Sequence, residues 1–257
     1  MHWILQQNLL SQVTFSAMQD VLTMRGIRHT PVNLIPFVNM LHPDVDVSEE
    51  SVFVYGSTGL GSVARAKGWL PGYFDEDLEY SLYLKHYGEE MLNHDAVVAT
   101  LGQLERKWDQ FFLRPTADSK QFAGEVMTWE KFEEFRNGVR TVEDAEGVTL
   151  TLQDTVIMAP IKEIRAEFRF FVIAGEVVTG SRYKIGNLVQ SSTEIPEAML
   201  VYARHQVSRW QPNSAFTLDV AETDEGPKIV ELNSANSAGF YACDLGCIVD
   251  AVELLGQ

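Results

Sequence analysis

Two acidic side chains, Asp219 in FTLDVAET and Glu231 in KIVELNSAN, face each other if the segment Thr223 to Pro227 turns symmetrically between two strands. The period of two along a strand then puts Asn233 on the same face as Glu231. Like charges directly opposite destabilise a sheet, so the pair asks for a cation. Two carboxylates and an amide oxygen are hard ligands suited to Mg²⁺, which enzymes hold through one or two carboxylates plus substrate phosphates. The hairpin reads as a clasp for a metal nucleotide or, alternatively, as a solvated acidic sheet face.

Cations occur upstream at spacings that could serve the same ligand. Phe111-Phe112-Leu113-Arg114-Pro115 reads as a strand ending in a cation, and a polar loop from Thr116 to Gly124 carries Lys120. Arg114 offers a planar fork and Lys120 a point charge to phosphate oxygens. The stretch Glu163 to Phe170 alternates, with Glu163, Arg165, Glu167 and Arg169 on one face. A hairpin through Ala174-Gly175 predicts Glu167 opposite Arg182 and Arg165 opposite Lys184, an ion-pair lattice that could equally be a surface feature of little energetic weight. Between them, Thr155 to Lys162 is an apolar strand stopped by Pro160, which suits an edge or hinge with free backbone groups.

These groups must be carried by a folded, acidic protein. At 257 residues and 46% hydrophobic the chain can bury one large core or two smaller ones. A net charge of -16 argues against gripping a nucleic-acid backbone. No run approaches the roughly 20 apolar residues of a membrane span, and Met1-His2-Trp3 lacks a basic secretory lead, so a cytoplasmic setting is expected. Cys243 and Cys247 are spaced to share a helical face as packing residues. His29, His42, His86, His94 and His205 show no metal-like spacing.

Residues 1 to about 100 alternate strand and helix, with strands near His2 to Gln7, Thr30 to Phe37 and Ser51 to Tyr55, a helix over Phe15 to Met24, one or two helices within residues 76 to 107 including Asn93 to Lys107, and a domain boundary near residue 108. Parallel strands with crossover helices follow, an α/β layer. The glycines of Gly56-Ser57-Thr58-Gly59-Leu60-Gly61 miss the dinucleotide spacing and read as a strand-to-helix turn or a cleft lining. From 109 to 257 the pattern is β-rich with a helix at Trp129 to Asn137, an α+β unit.

The order of strand-Arg-Pro, flap lysine, apolar hinge, Glu-Phe-Arg strand, Ser-Arg-Tyr and a final Asp and Glu-Leu-Asn hairpin resembles the ATP-grasp superfamily. FLRPTADSKQFAG and EFRFFVIAGEVVTGSRY are most similar to its clade with a signature arginine and two lysines, found in bacteria and their phages. The resemblance implies an ATP-grasp fold preceded by a Rossmann-like pre-ATP-grasp domain. It also implies ATP and Mg²⁺ as cofactors. In the matching positions, Arg114 and Lys120 contact ATP phosphates, Met158, Ala159, Ile161 and Lys162 form the adenine hinge, and Glu163 binds ribose. Arg169 and Arg182 stand with Lys120 as catalytic cations near the transferring phosphate, and Asp219, Glu231 and Asn233 hold the metal. Arg114 replaces a lysine common elsewhere in the superfamily, and Ala159-Pro160 replaces an acidic or amide pair at the hinge. The implied reaction joins a small-molecule or peptide carboxylate to an amine through an acyl-phosphate; a kinase on the same fold or a non-catalytic nucleotide-binding module are the alternatives.

Overall fold

The computed structural model describes residues 1–9, 11–35, 38, 40–47, 51–116, 122–142 and 150–256. Strands β1 (His2–Gln6), β2 (His29–Ile35), β3 (Met40–His42), β4 (Val52–Tyr55) and β5 (Pro71–Gly72) form a sheet ordered β3-β2-β1-β4-β5. β1 is parallel to β2 and β4, and β4 to β5. Helices α1 (Gln12–Met24) and α2 (Thr58–Ala66) make the crossovers. Every residue of β1 is buried because both faces are covered. Trp3 and Leu5 pack with α1, while Ile4 turns to the opposite side with Leu60 and Val63 of α2. The glycine-bearing segment is the turn into α2: a Cβ on Gly56 would stand 2.6 Å from the Gln6 side chain.

A second sheet, ordered β6-β9-β7-β8, is built from β6 (Val97–Thr100), β7 (Gln110–Pro115), β8 (Glu125–Thr128) and β9 (Thr155–Ala159). Helix α3 (Tyr80–Tyr87) precedes it, and α4 (Trp129–Val142) packs Phe132 against Phe111, Leu113, Met127 and Met158. Helical spacing over Asn93 to Lys107 does not produce a helix. Val97 to Thr100 are instead a strand whose partners run from Met158 to Thr155, followed by one 3-10 turn at Leu101–Gln103. β-Branched Val97, Val98 and Thr100 fit a ladder better than a helix, and β9 provides the open edge. Since β6 belongs to this sheet, the boundary expected near residue 108 falls after the sheet's first strand.

The third sheet, ordered β12-β11-β10-β13-β14, contains β10 (Ala166–Ile173), β11 (Glu176–Ile185), β12 (Leu188–Ser192), β13 (Ala215–Thr223) and β14 (Gly226–Ser234). Neighbouring strands are antiparallel. One face of β10, with Phe168, Phe170 and Val172, meets Met199, Ala203 and Val207 of α5 (Glu197–Arg209) at i, i+4 spacing. On the other face, Phe171 and Ile173 share a core with Trp3, Phe53 and the final helix α6 (Leu245–Leu255). Asp244 caps α6 by accepting a 3.1 Å bond from the Cys247 amide, so Cys243 lies outside the helix. Cys243 is buried and Cys247 exposed, and the two do not share the expected helical face.

One buried side chain fastens the first sheet to β14. The Asn236 amide nitrogen donates to the carbonyls of Val54 (2.6 Å) and Gly72 (3.0 Å), and its oxygen accepts from the Phe74 amide (2.9 Å). Its own carbonyl accepts from the Gly56 amide at 2.8 Å. Asn236→Ala removes the side-chain partners while the backbone groups stay buried, so it should lower unfolding free energy by about 2–4 kcal/mol in urea titration. An unchanged midpoint and slope would show that the junction does not depend on this amide.

Candidate functional site

The register of the third sheet sets Ser181, Arg169, Asp219 and Glu231 side by side on β11, β10, β13 and β14. Glu231 reaches this face through an irregularity. The connection from β13 to β14 is a two-residue loop, with Thr223 opposite Gly226 and Gly226 at φ 100°. Continued without a break, that pairing would bring Asp219 opposite Val230 and point Glu231 the other way. Val230 is an unpaired bulge residue between the pairs Val220–Ile229 and Asp219–Glu231, and the extra residue restores the facing carboxylates.

Each carboxylate has an arginine. Arg169 grips Asp219 in a bidentate pair, Nε to Oδ1 at 2.8 Å and Nη2 to Oδ2 at 2.7 Å. Its remaining Nη1 donates to the Gly239 carbonyl at 3.3 Å. The guanidinium also lies 5.6 Å from the ring of Tyr183 and 5.2 Å from that of Tyr241, which stack at 4.7 Å. Burial raises the pKa of Asp219, with Arg169 opposing and Glu231 adding to the rise. For Arg169 burial works against the charge, and Asp219 outweighs it to hold the guanidinium above its ordinary value. Tyr241 sits at φ 50°, a left-handed conformation uncommon for a bulky side chain.

The second clasp joins two sheets. Arg114, near the end of β7, donates through Nη1 to Glu231 Oε2, while Asn233 Nδ2 donates to Glu231 Oε1 at 3.1 Å. Arg114 Nε is buried and has no hydrogen-bond partner among the described residues. Beside this pair opens a cleft of about 320 Å³, lined by Tyr83 of α3, by Arg114, Pro115 and Thr116, by Phe122, Ala123 and Gly124, and by Glu231, Leu232 and Asn233. The walls are therefore the end of β7 with Thr116 and residues 122–124 on one side and β14 on the other.

Of the remaining residues singled out in the sequence, Lys120 lies outside the described residues. Met158 and Ala159 are buried in β9, and Met158 packs into the core of the second sheet. Ile161 and Glu163 are exposed, and Lys162 pairs with Asp95 at 2.7 Å. Residues 158–163 are absent from the described lining of the cleft. Arg182 stands opposite Phe168, one position out of phase with Arg169, and so shares the face of the Phe168 ring.

The expected lattice is changed by two bulges in the β10–β11 hairpin. The turn itself is the two-residue Ala174-Gly175, both at positive φ. Register shifts beyond it bring Glu167 opposite Lys184 instead of Arg182. Glu167 accepts from Lys184 Nζ and from the Tyr183 hydroxyl, both at 2.6 Å. Lys184 thus faces Glu167 and not Arg165, which makes an ion pair with Asp224 at 2.6 Å. Tyr183 belongs to the Ser-Arg-Tyr motif, Thr116 to the polar loop and Tyr241 to the segment after Asn233, whereas Tyr83 carries no sequence signal because a separate helix, α3, delivers it.

Among the described residues no three His, Cys, Asp or Glu side chains converge as a metal site, and no helix is long and apolar enough to cross a membrane. An ion at this row would rest on Asp219, Glu231, the Asn233 amide and oxygens of its partner ligand.

This architecture recurs in solved structures. D-cycloserine synthetase DcsG is similar over 99% of this chain and 98% of its own, with TM-score 0.62 and 11% identity. D-alanine–D-alanine ligase from Bacillus anthracis, complexed with ATP, matches over 98% and 91% with TM-score 0.62 and 14% identity. ATP-grasp ligase PsnB with its minimal precursor matches over 100% and 99% with TM-score 0.51 and 12% identity. Identities this low carry the fold alone. No curated protein matches the chain. The model of an ATP-grasp domain family, the third family of the clade named for one arginine and two lysines, matches residues 42–252, and the chain belongs to that family.

The Arg169–Asp219 pair can be tested as a unit. Arg169→Met strands a buried carboxylate and should cost about 3–5 kcal/mol in chemical denaturation. Adding Asp219→Leu to the same chain should recover most of that loss. Additive losses in the double variant would contradict mutual dependence.

Proposed function

We propose that the protein is an ATP- and Mg²⁺-dependent ligase that joins a carboxylate to an amine or similar nucleophile. The observation that carries this reading is the row Arg169, Asp219, Glu231 and Arg114 in an ATP-grasp fold, with its Arg114 and Glu231 end lining a cleft between two sheets. Family membership and the ligases among its structural neighbours support it.

The donor set fits the ion that the family implies: two carboxylates and an amide are hard oxygen ligands, and Mg²⁺ takes few protein ligands beside phosphate oxygens. Asp219, Glu231 and Asn233 would hold it, and when bound it would neutralise phosphate charge. Arg114 would orient the phosphate chain, and Lys120 is assigned to the same task on resemblance; Arg169 would hold Asp219 in place and present positive charge beside it. On resemblance we assign the adenine hinge to Met158, Ala159, Ile161 and Lys162, ribose binding to Glu163, and a catalytic cation's role to Arg182.

In the proposed reaction a substrate carboxylate oxygen attacks the γ-phosphorus, and the bond from that phosphorus to the ADP oxygen breaks. An amine then attacks the acyl carbon, inorganic phosphate leaves, and the amine gives up a proton. The first step asks the protein for alignment and charge neutralisation, which this row of side chains would supply. The substrates are small-molecule or peptide carboxylates and amines.

Glu231→Gln should lower ATP turnover about 100-fold or more, the several kcal/mol a bound metal contributes, with circular dichroism unchanged, and Asp219→Asn should lower it as much while also losing stability through the broken Arg169 pair. Wild-type turnover in either variant would sink the assignment. Chelation with EDTA should abolish turnover and excess Mg²⁺ restore it. Product analysis decides the reaction class: ADP, phosphate and a joined product support ligation, while ADP with a phosphorylated product and no free phosphate identifies a kinase.

A further inference from the structure

The two arginine clasps are unequal. Arg169 places Nε and Nη2 on Asp219 and Nη1 on Gly239, and lies against two tyrosine rings; its side chain is 10% exposed and that of Asp219 1%. Arg114 meets Glu231 through one nitrogen, leaves a buried Nε without a partner among the described residues, and faces a carboxylate that is 32% exposed. A buried, unmatched guanidinium nitrogen carries a desolvation cost that a better partner would remove. The first clasp is built to stay and the second to open.

We propose that Arg114 is an exchangeable counter-ion, holding the metal's place on Glu231 until a nucleotide phosphate draws it away. The inference rests on the nucleotide-site reading above and adds its order of assembly. With both arginines in place the row carries two positive and two negative charges, so a divalent cation arriving alone meets little net attraction. A phosphate chain offers Arg114 oxygens that match its fork. Its departure bares Glu231 beside Asp219, and a divalent cation then relieves the repulsion of two facing carboxylates. Metal and nucleotide consequently strengthen each other's binding by the same factor.

The test is Mn²⁺ titration of the nucleotide-free protein by calorimetry. Arg114→Gln should bind Mn²⁺ about tenfold more tightly than wild type, and the Arg114→Gln, Glu231→Gln double variant should lose that gain. Arg114→Lys, which keeps a cation beside Glu231, should stay near wild type. Mn²⁺ should also raise the melting temperature of Arg114→Gln more than that of wild type, a readout that confirms a folded variant. Equal Mn²⁺ affinity in wild type and Arg114→Gln overturns the exchange. A parallel titration with a non-hydrolysable ATP analogue plus Mn²⁺ separates the two levels: if wild type binds it while Arg114→Gln shows no gain, only the exchange fails. If the analogue does not bind wild type, the nucleotide-site reading itself fails.

Discussion

Two carboxylates on neighbouring strands, Asp219 and Glu231, form the constraint around which this molecule is organised. At about 5 Å and an effective dielectric of about 20, they repel by roughly 3 kcal/mol. An arginine about 4 Å from either returns roughly 4 kcal/mol at the same dielectric, so one counter-ion per carboxylate is enough to hold the row. Arg169 comes from the adjacent strand and Arg114 from another sheet. The electrostatics of the pair therefore helps to fix both the interior of the third sheet and the approach of the second.

The same face of β10 changes character along its length. Glu167 and Arg169 stand at the polar row, while Phe171 and Ile173, further along, join the core shared with the first sheet and α6. An apolar floor anchors the sheet, and the charged end is left to bind. Asn236 completes the arrangement by tying the strand ends of the first sheet to the segment that follows Asn233. Packing thus positions the row from below, and ion pairs position it from the side.

Much of the site was legible because strand periodicity is local. Asp219, Glu231 and Asn233 could be placed on one face from the period of two, and the facing pair is present. Its turn was not legible: a symmetric five-residue turn and a two-residue turn with a bulge at Val230 predict the same pairing for different reasons. Where bulges did not cancel an error, the reading failed, as with Glu167, whose partner is Lys184 and not Arg182. Val97 to Thr100 misled in another way, since their apolar spacing suits a helix and only the open edge of β9 makes them a strand. The partners of the carboxylates were the hardest to foresee, because Arg114 lies more than a hundred positions from Glu231 and only sheet packing brings them together.

The most direct measurement is a crystal structure of the protein with Mg²⁺ and a non-hydrolysable ATP analogue. The phosphate chain is expected in the cleft between β7 and β14, with the metal on Glu231 and Asp219 and the Arg114 guanidinium turned from Glu231 to a phosphate. A nucleotide bound elsewhere, or a metal that leaves Asp219 and Glu231 untouched, would contradict the assignment of this row as the nucleotide and metal site.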